Sequence, residues 1–150
     1  MRIHDLSNDA TTIDAVAALL VAGFANHWSD ALPDHESAVA EVRESLEPGR
    51  ISRVAVDEDG TVVGWIGGLH EYALVWELHP LVVRADRQRQ GVGRALVQDL
   101  EAQVAARGGL TLRLGTDDEN NQTSLGGVDL YPNVWEHIAT ISNLDRQPRR

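Results

Sequence analysis

Two segments near the start of the chain carry apolar residues at the spacing of a helix. The first helix is predicted by a stripe that follows a capping residue, Asp9, and consists of Ile13, Val16, Leu19, Leu20 and Phe24. The second helix has the stripe Val39, Val42 and Leu46 and ends at Pro48-Gly49. The residues between the two helices, from Asn26 to Asp34, are predicted to form a loop.

The middle of the chain changes to patterns that are typical of strands. One strand is predicted by Ile51, Val54 and Val56. The acidic turn Asp57–Gly60 then leads into two further strands, from Val62 to Tyr72 and from Leu74 to Val83. Three strands joined in this way predict an antiparallel meander.

A strand–helix–strand unit follows the meander. Its helix has the stripe Val92, Leu96, Leu100 and Val104 and ends at Gly108-Gly109. The alternating segment Leu110 to Leu114 predicts the next strand, and a last short helix is predicted by Val134, Ile138 and Ile141. This order of elements predicts one α/β domain over residues 1–150, with a mixed α+β sheet and one parallel crossover.

Composition narrows the class of protein. The net charge is −10, from 23 acidic and 13 basic residues, which disfavours nucleic acid and suits a cationic substrate, although solubility alone explains an acidic surface. There are no cysteines, so disulfides, thiolate metal sites and cysteine nucleophiles are excluded. The sequence shows no signal peptide and no run of 18 apolar residues, and we expect a cytoplasmic protein that binds no membrane.

The turn from Gln88 to Gly93 carries the strongest chemical signal. Because Gly91 and Gly93 have no Cβ, an anion can approach the backbone at the N-terminus of the third helix, where N–H groups are unpaired. Arginines surround this turn in an otherwise acidic chain: Arg84, Arg87, Arg89 and Arg94. A solvated turn is the alternative, and a dinucleotide-binding turn is disfavoured because Leu96 stands where its third glycine belongs.

The stretch from Leu81 to Leu100 resembles the signature segment of the GNAT superfamily of N-acetyltransferases, whose pattern is met at Gln88, Gly91 and Gly93. The resemblance implies a GNAT-like fold and acetyl-CoA as co-substrate, with no metal. Its implied contacts to the pyrophosphate and nearby parts of coenzyme A are Gln88, Arg89, Gln90, Gly91, Val92, Gly93, Arg94 and Asn120. The strand residues Leu81, Val82 and Val83 are implied to pair with the pantetheine arm like an added strand.

A narrower resemblance is to the aminoglycoside 6'-N-acetyltransferases. It is carried by segments from Gly60 onward, chiefly Trp76–Val83, Arg107–Thr111 and Leu114–Asp118, and weakly by Asp129–Tyr131 and Ile141–Leu144. It implies acetyl transfer to the 6'-amine of an aminoglycoside, which is an antibiotic-resistance activity. Acetylation of another small-molecule or protein amine, and a CoA-binding module without activity, remain open alternatives.

The acceptor amine needs a group that removes a proton, because an aliphatic ammonium has a pKa near 10. Glu77 and His79 lie two apart on a predicted strand, so both point to one face; we expect Glu77 to bind substrate and His79 to act as base or water holder. A histidine satisfied within the core is the alternative. The family resemblance implies that the backbone N–H of Leu81 stabilises the oxyanion.

Further substrate contacts are expected from aromatic and acidic residues near the cleft. Trp28 and Tyr72 are candidates for an aromatic wall against a sugar ring, although packing against loops is an alternative. Asp117 and Asp118 follow a strand end and are candidates for binding ammonium groups, or else form a simple acidic loop. The histidines at positions 35, 70, 79 and 137 have no metal-ligand spacing.

The resemblance weakens after Asn143, where relatives continue with further strands. We therefore expect this chain to lack the usual C-terminal strands and the tyrosine that protonates the departing thiolate. The strand Leu110 to Leu114 is then expected to be an open sheet edge. A homodimer that covers this edge is the expected assembly.

Overall fold

The computed structural model describes residues 1–27 and 34–114, which form a five-stranded sheet with helices on both faces. The strands are β1 (Arg2–Asp5), β2 (Arg50–Val56), β3 (Val62–Tyr72), β4 (Val75–Val83) and β5 (Thr111–Leu114). The helices are α1 (Ala10–His27), α2 (His35–Glu44) and α3 (Val92–Ala106), and a 3₁₀ turn spans Ala85–Arg87. The spatial order of the strands is their order in the chain; β1 to β4 are antiparallel and β4–β5 is parallel.

Within the described residues, the predicted mixed sheet and its one parallel crossover are confirmed. The sequence pattern missed β1, because this strand has only four residues and three of them are exposed, so it shows no apolar alternation. The loop predicted from Asn26 to Asp34 does not begin at Asn26, because α1 continues to His27, and residues 28–33 lie outside the described residues. Helix α2 ends at Glu44, before Leu46. The helix predicted around Val134 lies outside the described residues.

Aspartate side chains start both N-terminal helices. The Thr12 N–H donates to Asp9 Oδ1 at 2.8 Å, which confirms Asp9 as a capping residue. The Ser37 N–H donates to Asp34 Oδ1 at 2.7 Å and begins α2 in the same way. These bonds fix the position of α2, whose inner residues Ala38 and Val42 are fully buried.

The sheet separates two apolar clusters. Helices α1 and α2 cover one face, where Leu20 and Val42 pack with Val54 and Trp65. Helix α3 covers the other face, where Leu96 and Leu100 belong to a cluster with Ile66, Trp76 and Leu112. Because both faces of the central strands are packed, β4 is held in place along its length.

A β-bulge interrupts the pairing of β3 with β4. Ile66 pairs with Leu81 and Gly68 with Leu78, so Gly67 faces two residues, His79 and Pro80, which are joined by a cis peptide bond. A Cβ at Gly67 would lie 2.5 Å from the carbonyl oxygen of His79, so only glycine fits there. The parallel pairing of β4 with β5 ends at the same level, where Leu78 pairs with Leu114.

Beyond the bulge, β4 runs on to Val83 with β3 on one side. On its other side, the described part of the chain supplies no paired strand past Leu78.

Candidate active site

The turn between β4 and α3 has an open backbone at the start of the helix. Gly91 is the N-cap residue of α3 with φ of +88°, a left-handed conformation that favours glycine. Nothing among the described residues lies within 4 Å of a Cβ built on Gly91, and a Cβ on Gly93 would meet only the Val83 side chain, at 3.6 Å. The first turn of α3 contains no acidic residue. Such a helix N-terminus attracts an anion.

The four arginines around this turn fall into two pairs. Arg84 is held by Asp86 at 2.7 Å, and Arg87 is held by Asp57 of the β2–β3 turn. Arg89 and Arg94 form no ion pair with any residue in the part of the chain that the structure describes. Arg84 and Arg87 thus hold the turn through ion pairs, whereas Arg89 and Arg94 have no ion-pair partner within the described ranges.

Two glutamine side chains hold the turn through backbone carbonyls of the residues before it. The Gln88 side-chain amide donates to the Val83 carbonyl at 3.2 Å, and that of Gln90 donates to the Asp86 carbonyl at 3.1 Å. Both side chains therefore hold the turn itself. The roles assigned to Gln88 through Arg94 in cofactor binding stay predictions.

The strand that leads into this turn is anchored on both faces of the sheet. Leu81 and Val83 pack against the α3 cluster, and Val82 packs against the α1–α2 cluster. This alternation holds the backbone of the segment between the two apolar clusters. A strand that leads into an open helix N-terminus fits the pantetheine arm and the pyrophosphate of coenzyme A.

Glu77 and His79 lie two residues apart on β4, and His79 faces Glu41 of α2. Their roles in the reaction stay predictions. Glu77 is the cross-strand partner of Leu69, and both Leu69 and His79 line an open cleft of about 490 Å³. The rest of the cleft lining comes from α2 and the start of β2: Ser37, Ala40, Glu41, Glu44 and Arg50. The cleft therefore lies at the bulge, beside the two polar residues of β4.

Both predicted catalytic side chains have charged partners that the sequence pattern did not reveal. His79 Nε2 lies 3.5 Å from Glu41 Oε1, and this contact with Glu41 raises the pKa of His79 against the opposing effect of burial. Glu77 lies 3.4 Å from Arg113, which is held more closely by Glu71, at 2.6 Å. The negative charge of Glu77 also raises the pKa of His79, and the positive charge of Arg50 lowers it.

The missed partners had a weak signal in the sequence. Glu41 is one position before the buried Val42 on α2, so it flanks the apolar stripe. Arg113 alternates with the buried Leu112 on β5, but its pairing with Glu77 depends on the register of two strands that are far apart in sequence. Register across a crossover cannot be read from periodicity.

The remaining predicted site residues are less closely grouped. Tyr72 is 64% exposed at the end of β3, and Glu77 lies on the neighbouring strand. Trp28, Asp117, Asp118 and Asn120 lie outside the described residues. No group of three or more metal-ligating side chains occurs among residues 1–27 and 34–114. None of the helices within these ranges is long and apolar enough to cross a membrane.

The bulge in β4 and the glycine turn at the start of α3 agree with an acetyltransferase class of fold. The chain belongs to the acetyltransferase (GNAT) family, whose profile matches residues 13–131. No curated protein sequence matches the chain significantly.

Three solved structures of aminoglycoside 6'-acetyltransferases are similar to this chain. A type Ii enzyme is 36% identical with a TM-score of 0.71, over 89% of this chain and 81% of its own. The Enterococcus faecium enzyme is 39% identical with a TM-score of 0.67, over 83% and 69%. A complex with coenzyme A is 38% identical with a TM-score of 0.67 over 77% of this chain, which spans 62% of that enzyme's length.

Proposed function

We propose that this chain transfers the acetyl group of acetyl-CoA to the 6'-amine of an aminoglycoside. The observation that carries the proposal is the position of His79, which lines a cleft at the bulge in β4, with Glu77 two residues before it on the same strand. An acceptor in that cleft is next to the backbone of Leu81. The similar structures described as aminoglycoside 6'-acetyltransferases support the choice of acceptor.

Binding of acetyl-CoA is assigned to the backbone more than to side chains. The N–H groups at Gly91, Val92 and Gly93 are suited to the pyrophosphate, because they combine unpaired donors with the positive end of the helix dipole. Arg89 and Arg94 add positive charge at that end. Leu81–Val83 would hold the pantetheine arm by strand-like hydrogen bonds.

The reaction joins the amine nitrogen to the thioester carbonyl carbon and breaks the carbon–sulfur bond, and the thiolate gains a proton to leave as CoA. The ammonium of the acceptor must first lose a proton. Glu77 binds this ammonium, and His79 accepts its proton directly or through a water. The N–H of Leu81 stabilises the negative charge that develops on the carbonyl oxygen.

The ion pair of Glu77 with Arg113 affects which acceptors can bind. A substrate ammonium has to compete with the guanidinium for the Glu77 carboxylate, at a contact of 3.4 Å. Arg113 keeps its closer partner Glu71 when Glu77 is taken by substrate. A cationic acceptor is favoured over a neutral one, because only a cation can replace the positive charge of Arg113 beside the Glu77 carboxylate.

The experiment is a thiol-release assay with acetyl-CoA and a matched pair of aminoglycosides that differ only in an amine or a hydroxyl at the 6' position. We expect CoA release with the 6'-amine and none above background with the 6'-hydroxyl. Mass spectrometry of the product should show one added acetyl group. Equal turnover of both compounds, or turnover only of polyamines and peptide amines, would contradict the proposed acceptor.

A further inference from the structure

Glu41 and His79 approach each other from opposite walls of the cleft. Glu41 is fixed on α2 by the buried neighbours Ala38 and Val42 and by the Asp34 cap at the start of the helix. His79 is fixed on β4 by the bulge, where its carbonyl fills the space that a side chain at position 67 would need. The two side chains meet at 3.5 Å, and both line the cleft.

The charges around His79 leave Glu41 as its main partner. From α2, Glu44 also lines the cleft, but Arg50 at the start of β2 pairs with Glu44 at 3.5 Å. From β4, Glu77 acts on His79 through its charge, and Arg113 of β5 pairs with Glu77. The lining residue from β3 is the apolar Leu69. Glu41 has His79 as its ion-pair partner within the described ranges.

We propose that Glu41 is a positioning residue for acetyl transfer, which orients the His79 imidazole and selects the ring nitrogen that takes the proton. This inference rests on the proposed function. With Nε2 turned to Glu41, the neutral imidazole keeps its hydrogen on Nε2, so Nδ1 carries the free electron pair. Nδ1 is then the nitrogen that receives a proton from the acceptor or a bound water.

Orientation by Glu41 has a consequence for pH. The contact favours the imidazolium and raises the pKa of His79, so a higher pH is needed to make the base available. Loss of the carboxylate charge should therefore move the acid limb of the kcat/KM profile to lower pH. It should also lower the plateau at high pH, by less than the factor of about 10²–10⁴ that loss of a whole general base costs.

The test compares wild type with Glu41→Gln, Glu41→Asp and Glu36→Gln. Glu36 is an exposed residue of the same helix outside the cleft lining, so Glu36→Gln is a control for loss of one negative charge. Two readouts are taken: the NMR titration of the His79 ring, assigned with His79→Gln, and the pH profile of kcat/KM with acetyl-CoA and a 6'-amino aminoglycoside. Thermal melting checks that each variant is folded.

In Glu41→Gln we expect the pKa of His79 to fall and the acid limb to move with it. Glu41→Asp should recover part of both effects, and Glu36→Gln should match wild type. An unchanged His79 titration in Glu41→Gln overturns the pairing. A changed His79 titration with an unchanged pH profile of kcat/KM overturns the role of Glu41 in acetyl transfer. Absence of turnover with every amine refutes the proposed function, and the titration then decides the pairing by itself.

Discussion

Arg113 and Glu77 are partners across the parallel β4–β5 pair, with 3.4 Å between the guanidinium and the carboxylate. The guanidinium also lies 2.6 Å from Glu71, so one cation serves two carboxylates. Arg113, Glu71 and Glu77 together therefore carry one net negative charge. Under the proposed function, a cationic acceptor therefore competes with Arg113 for the Glu77 carboxylate.

Removal of that competitor should strengthen acceptor binding. In Arg113→Gln we expect a lower KM for a 6'-amino aminoglycoside and an unchanged KM for acetyl-CoA, because the cofactor turn lies at the other end of β4. Arg43→Gln, an exposed position on α2, removes the same charge elsewhere and serves as the control. Steady-state kinetics at low ionic strength measure the effect. A raised acceptor KM would mean that Arg113 positions Glu77.

Loss of the carboxylate at position 77 should have the opposite effect. In Glu77→Gln we expect acceptor binding to weaken by about 1.5–3 kcal/mol, the range for a hydrogen bond to a charged group. CoA affinity, measured by calorimetry, should stay at the wild-type value. An unchanged acceptor KM with normal turnover would remove Glu77 from the acceptor site.

The glycine at position 93 allows a matched test of the cofactor turn. A Cβ there makes an ordinary contact of 3.6 Å with Val83, so Gly93→Ala should fold normally and keep most of its CoA affinity. Gly93→Asp adds a negative charge at the helix N-terminus, where we expect a pyrophosphate, and should abolish CoA binding. Calorimetry with CoA and thermal melting are measured on both variants. Equal CoA affinity in the two would contradict the cofactor assignment.

The sequence predicted the parts of the fold that depend on local pattern. The meander, the crossover helix and the glycine turn were all evident from the spacing of residues such as Leu96, Leu100 and Gly91. The sequence pattern could not predict the contacts between distant elements. Glu41 reaches His79 and Asp57 reaches Arg87 only because the sheet register and helix packing bring them together. Strand register is a tertiary property.

A close contact between β3 and α3 predicts a coupled effect on stability. A Cβ on Gly64 would lie 2.7 Å from the fully buried Leu96 and 3.1 Å from Val92. Gly64→Ala should therefore destabilise the fold by about 1–3 kcal/mol through overpacking. Leu96→Ala alone should cost about 2–5 kcal/mol. The double variant should lose less than the sum, because each change relieves the other. Additive losses in urea unfolding would exclude this contact.

The His79–Glu41 pair also predicts how stability depends on pH. The pKa of His79 is raised in the folded chain above its ordinary value of 6.5, chiefly by Glu41. The imidazolium is therefore bound more tightly by the folded state than by the unfolded state. Its stabilising contribution is complete below pH 6.5 and is lost as the pH rises through the folded-state pKa. Because His79 is 55% exposed, solvent screening keeps this contribution small.

The measurement is the difference in melting temperature between wild type and His79→Gln across pH 5 to 9, which cancels the titration of all other groups to first approximation. We expect the melting temperature of wild type to rise relative to that of the variant at the acidic end, since only wild type has the imidazolium–Glu41 contact. The same comparison made in the Glu41→Gln background should show a smaller pH dependence, because the favourable partner is absent. A difference that grows toward alkaline pH would show that burial outweighs Glu41, and the assigned cause of the raised pKa would be wrong.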